Sequence, residues 1–191
     1  VEGGAAGANP QLDSQGGGRM EERKGIVTFK GDGLTLVGPE LTVGQKAPDF
    51  TLRDQGLGEV GLADGAGRVR IVATVPSLDT SVCATETRTF NEKAAAIGEE
   101  VEVLVVSRDL PFAQQRFCGA EGIDRVRTLS DYVDGSFGRA WGLYIKELGL
   151  LARAVIVLDG EGTVRYIELV PEVTDEPDYA SALEAARDVA G

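Results

Sequence analysis

Histidine is missing altogether from the 191-residue chain, and with it goes the commonest general base, metal ligand and neutral-pH switch. A Ser-His-Asp triad is excluded. Cysteine occurs only twice, too seldom for a four-ligand zinc site, and no imidazole is there to complete one. Neither a metal nor a cofactor is expected. Positive charge is scarce too: 19 Lys and Arg against 31 Asp and Glu leave a formal net charge of −12. That balance argues against nucleic acid and anionic membrane surfaces as partners, because binding there depends on Lys and Arg releasing counterions. No apolar run approaches the roughly 20 residues that cross a bilayer. The opening stretch VEGGAAGANPQLDSQGGGR has neither a basic start nor an apolar centre. A cytoplasmic location is the expectation.

What is present suits one folded domain. Hydrophobic residues make up 42% and charged residues 26%, ordinary for a globular chain of this length. Residues 1–22 are Gly-rich and without periodicity for most of their length, and are read as a flexible tail or an expression remnant. The domain is expected over residues 23–191. It opens with GIVTFKGDGLTLVG, two alternating runs around a Gly-Asp-Gly turn, which predicts an N-terminal β-hairpin. Short strands follow at DFTLRD and around Val60, then a buried strand at RVRIVATV, stopped by Pro76.

Apolar residues at helical spacing predict a helix over 81–97, with Glu86 and Arg88 facing water. VEVLVVS is the next core strand, LPFAQQRFC a short helix opened by Pro111, VRTLS a strand and SFGRAWG a brief helical turn. A second hairpin at 152–169 and an amphipathic helix at 179–190 close the chain. Strands alternating with helices predict an α/β sandwich around a mixed sheet.

Cys83 falls at the third position of the predicted helix, with Thr80 at the N-cap. The first helical turn offers N–H groups without partners and the positive end of the helix dipole, so the thiolate of Cys83 is favoured there over the thiol. Two readings compete: a nucleophile ionised at neutral pH, or a small buried apolar side chain, the commonest fate of a free cysteine. Thr80 has its own plain role as a helix cap, Pro76 as a strand stop, and Arg153 as an arginine at a strand entrance.

The longer string decides between them. PSLDTSVC carries a Pro-x-x-x-Thr-x-x-Cys pattern, and PSLDTSVCATETRTFN, RDLPFAQQRFCGAEGI, LARAVIVLD and TDEPDYASAL follow in order. This sequence resembles the bacterial thiol peroxidases, the atypical two-cysteine branch of the peroxiredoxins, from about residue 25 to its end. The resemblance implies a thioredoxin-like fold and a peroxidase whose Cys83 thiolate attacks peroxide. Thr80 would orient the peroxide, Arg153 would hold thiolate and developing oxyanion, and Pro76 would shield the sulfur from water.

The same resemblance makes Cys118 the resolving thiol, closing an intramolecular disulfide with Cys83; as a residue alone it could equally be a buried spectator. It further implies thioredoxin as reductant, hydrogen peroxide and organic hydroperoxides as substrates, and a homodimer. Relatives often carry arginine where Val133 stands, for which Arg139 could compensate. Trp141 stands where tyrosine is common, either lining a substrate or dimer surface or packing in the core. A thioredoxin-type disulfide carrier is disfavoured because no Cys-x-x-Cys pair occurs. A redox-regulated binding protein or peroxide sensor is the remaining alternative.

Overall fold

The computed structural model describes residues 20–98 and 100–191. The tail expected at the start therefore lies, for residues 1–19, outside the described residues. The chain opens with β1 (Glu22–Phe29) and β2 (Asp32–Val37), paired antiparallel with Phe29 opposite Asp32. Their turn is Lys30-Gly31, not the Gly-Asp-Gly expected. Both residues have positive φ, 52° and 87°, the combination whose twist matches that of the flanking strands. Gly33 is left inside the ladder opposite Thr28.

Short strands β3 (Thr51–Arg53) and β4 (Glu59–Gly61) come next, followed by a 3-10 turn at Leu62–Gly65 and the core strand β5 (Val69–Thr74). Then come α1 (Ser81–Ile97), β6 (Val101–Ser107), α2 (Pro111–Glu121), β7 (Arg127–Ser130) and α3 (Ser136–Ala140). The chain ends with β8 (Tyr144–Ile145), β9 (Leu150–Leu151), β10 (Ala154–Leu158), β11 (Val164–Leu169) and α4 (Tyr179–Ala190).

Seven strands form one mixed sheet in the order β11-β10-β5-β6-β7-β3-β4. The central three run parallel, and β10 lies antiparallel beside β5. On one face, Ile71, Ala73, Val103 and Val105 pack with Cys83 and Phe90 of α1, Cys118 of α2 and Leu183 of α4. On the other, Val72, Leu104 and Ile156 pack with Phe50, Phe137 and Trp141. Cover on both faces explains why β5, β6 and β10 read as continuous β-branched runs rather than alternating ones.

The hairpin β8–β9 was invisible to periodicity because two residues per strand are too few to show a pattern. It joins β1 and β2 in a separate four-stranded sheet, packed through Val27, Leu36, Ile145 and Val173. The consequence for chemistry is topological. Both α1 and α2 leave the carboxyl ends of parallel strands, the edge where open α/β sheets place their ligands.

Candidate active site

Thr80 caps α1 with extended backbone angles, φ −94° and ψ 146°, and its Oγ1 accepts from the Cys83 N–H at 3.4 Å. The Thr80 hydroxyl itself donates to the Ser77 carbonyl at 3.1 Å. Cys83 is thus seated in the first turn of α1, as its spacing from Thr80 predicted, and its sulfur is wholly buried. Pro76, also buried, leads from β5 into the loop that carries the cap.

That loop is held by a residue the sequence reading missed. The Asp109 carboxylate accepts from the Ser77 hydroxyl at 2.7 Å, the Leu78 N–H at 2.8 Å and the Ser107 hydroxyl at 2.8 Å. A lone Asp after a strand gives no sequence signal of this role. Its partners across the loop lie 31 and 32 residues away.

Arg153 stands just ahead of β10, 1% exposed. Its Nε and Nη2 donate to the Val173 carbonyl at 3.1 and 3.0 Å, and Nη2 also points at Cys83 Sγ, 3.3 Å away. Nη1 donates to Glu86 Oε2. Burial works to lower the Arg153 pKa, but the charges of Glu86 and Cys83 outweigh it and hold the group above its ordinary value. The guanidinium therefore stays a cation at the sulfur.

Glu86 overturns an expectation. Read from its own helix as facing water, it is 0% exposed, because Arg153 arrives from just ahead of β10 and draws it inward. Burial pushes its carboxyl up to about 7 despite the pull of Arg153. Arg88, by contrast, is partly exposed as expected and pairs with Glu121 of α2 at 2.7 Å.

Cys118 occupies a different setting. It lies in the last turns of α2, where its carbonyl accepts from the N–H of Ile123 and of the capping Gly122, whose φ of 66° is left-handed. Its sulfur lies 3.7 Å from Thr128 Oγ1, which also receives the Gln55 amide at 2.9 Å. Burial pushes the Cys118 thiol up, only partly offset by Thr128 and Gln55. Both thiols are free.

The remaining candidates fall outside the site. Trp141 is a core aromatic: its indole N–H donates to the Pro48 carbonyl at 3.0 Å and its ring packs on Phe137 and Phe50. Val133 is 59% exposed. Arg139 stacks over the Tyr144 ring at 4.0 Å and donates to the Asp134 carbonyl, so its charge is committed there and not to Cys83.

A capped helix start, a buried thiol and a buried guanidinium make a centre suited to thiol redox chemistry, and the comparisons with known proteins agree. The Redoxin family model matches residues 42–183. A thiol peroxidase of Bacillus subtilis is 56% identical over 161 residues, spanning 84% of this chain and 96% of the relative. The chain belongs to the thiol peroxidases. One from Streptococcus pneumoniae is 49% identical over 85% of this chain and 99% of its own. Among solved structures, a peroxiredoxin-like protein from Aquifex aeolicus superposes with a TM-score of 0.81 at 43% identity, covering 90% of this chain and 99% of the other. The thiol peroxidase of Chromobacterium violaceum, at 19% identity, shares the fold with a TM-score of 0.76. This thiol peroxidase is accordingly an oxidoreductase of thioredoxin-like fold that takes a peroxide and a thiol reductant.

Proposed function

We propose that the protein reduces hydrogen peroxide and organic hydroperoxides through Cys83, with Cys118 as resolving thiol and thioredoxin as the recycling dithiol, in antioxidant defence and redox homeostasis. The observation that carries this is the Arg153 Nη2 at 3.3 Å from a buried Cys83 Sγ. In the first step the Cys83 thiolate attacks one peroxide oxygen. An S–O bond forms, the O–O bond breaks, and its electron pair leaves with the other oxygen, which takes a proton to depart as water or an alcohol. Arg153 stabilises that charge, while Thr80, whose hydroxyl proton goes to the Ser77 carbonyl, orients the peroxide by offering its oxygen as an acceptor. Pro76 limits water access to the sulfur.

The resulting sulfenic acid condenses with the Cys118 thiol: an S–S bond forms and water leaves. A disulfide needs Cα atoms within about 7 Å. Joining the two thiols draws each sulfur from its own polar neighbour, Arg153 for one and Thr128 for the other, and the last turn of α2 loosens to allow it. Gly119 inside α2 and Gly122 at its end favour that. The disulfide is then reduced by thioredoxin.

Residues 23–191 act as one domain, in the cytoplasm and as a homodimer. No helix among the described residues is long and apolar enough to cross a membrane. In support of the dimer, Leu110, Phe112, Val133 and Leu148 are exposed near Arg108, which donates to the carbonyls of Tyr132 and Gly149. Peroxide consumption coupled to thioredoxin and its reductase tests the cycle. Cys83→Ser abolishes turnover, and Cys118→Ser performs a single turnover and then holds a sulfenic acid that dimedone captures. Parent-rate consumption by Cys83→Ser would overturn the assignment, and oxidation without steady turnover would favour a peroxide sensor.

A further inference from the structure

Glu86 lies three residues after Cys83 on α1, one turn along the same face. Its Oε2 receives Arg153 Nη1, while Oε1 is buried with no hydrogen-bond partner among the described residues. One guanidinium thus faces two acidic groups, Glu86 through Nη1 and Cys83 through Nη2, and the Val173 carbonyl pins it from the third side. A single cation cannot fully compensate two buried anions, and an ionised carboxylate with an unpartnered oxygen is costly in such a place.

We propose that Glu86 is a positioning residue that sets how much of the Arg153 charge reaches Cys83. Neutral, it keeps Nη1 anchored and leaves the cation to the thiolate and the departing oxygen. Ionised, it draws that charge away without moving the guanidinium. The proposal rests on Cys83 being the peroxide-reactive thiol.

The surroundings set where the change occurs. Arg153 just ahead of β10 favours the ionised form, whereas burial, Glu176 ahead of α4 and Glu168 on β11 oppose it, and the balance falls at about 7. Tyr179 of α4 also faces the group and feels its charge. A change of state is therefore available within the neutral range.

The test is the second-order rate of hydrogen peroxide with the reduced protein, followed from about pH 5.5 to about pH 9. In the parent, the rate falls about three- to tenfold as pH crosses neutrality and Glu86 ionises. Glu86→Gln keeps an acceptor for Nη1 but never ionises, so its rate shows no such fall. Glu86→Met fills the volume without anchoring Arg153 and is slower at every pH by about tenfold. A parent profile with no decline above neutrality, a Gln variant with the parent profile, or a Met variant as fast as the Gln variant would each overturn the role of Glu86. The parent profile needs no variant to fold. Peroxide consumption by Cys83→Ser would instead overturn the assignment of the thiol itself, and the proposal with it.

Discussion

The two cysteines share one hydrophobic cluster yet sit in opposite surroundings. Cys83 sits at a helix start with a buried arginine at its sulfur. Cys118 sits near a helix end, beside a threonine hydroxyl, its thiol pushed up by burial. At Cys118 burial favours the neutral thiol; at Cys83 a guanidinium and the start of a helix face the sulfur. In the proposed cycle, the first site attacks the peroxide. The second waits until a sulfenic acid forms on the first.

Removing the arginine is the harshest way to break this contrast. Arg153→Met should lower the rate of peroxide reduction by about 10²- to 10³-fold. It should also erase the faster alkylation of Cys83 over Cys118 by iodoacetamide at about pH 6. Mass spectrometry of the two alkylated peptides reads both thiols in one experiment.

The next effect is on stability. The Glu86 carboxyl moves from an ordinary 4.5 to about 7 on folding. Its folded value is raised, so its contribution to stability is fully present below about 4.5 and is lost as pH rises to about 7. At about 1.4 kcal/mol for each pH unit between the two values, the loss is roughly 3 to 4 kcal/mol. Glu86→Gln should be less sensitive to that pH range by a comparable amount, measured as the difference between urea midpoints of parent and variant.

Smaller changes sharpen the Cys118 side. Gly122→Ala places a side chain at a φ of 66°, and should cost about 1 kcal/mol. The Ile123 amide, bonded to the Cys118 carbonyl at 3.0 Å, should then exchange its hydrogen faster. Thr128→Val removes the hydroxyl beside Cys118 and should slow formation of the disulfide by about two- to fivefold at neutral pH, followed by rapid quench. An unchanged rate would mean that the hydroxyl does not prepare Cys118.

Local signals were legible where the chain writes them within a few residues. The span of α1, the Thr80 cap and the place of Cys83 in the first turn could all be read from spacing, and the structure reproduces them. The β-branched runs of β5 and β6 likewise read as core strands. The turn of the first hairpin was misplaced because Gly-Asp-Gly resembles a turn more than Lys30-Gly31 does, whereas strand twist selects the latter. Asp109 and Glu86 escaped because an acidic residue is normally solvated, and only a partner from elsewhere reverses that default.

By itself, the sequence determined which thiol begins a helix, which runs become sheet, and, through its family motifs, that Cys83 and Arg153 belong to one centre. Tertiary structure alone decided that Arg153 meets Glu86 and Cys83, 67 and 70 residues away, and that Glu86 turns inward to meet it. Helix and strand propensities act over a few neighbouring residues. The field at a buried sulfur is the sum of charges that only the packed sheet and helices bring within a few ångströms.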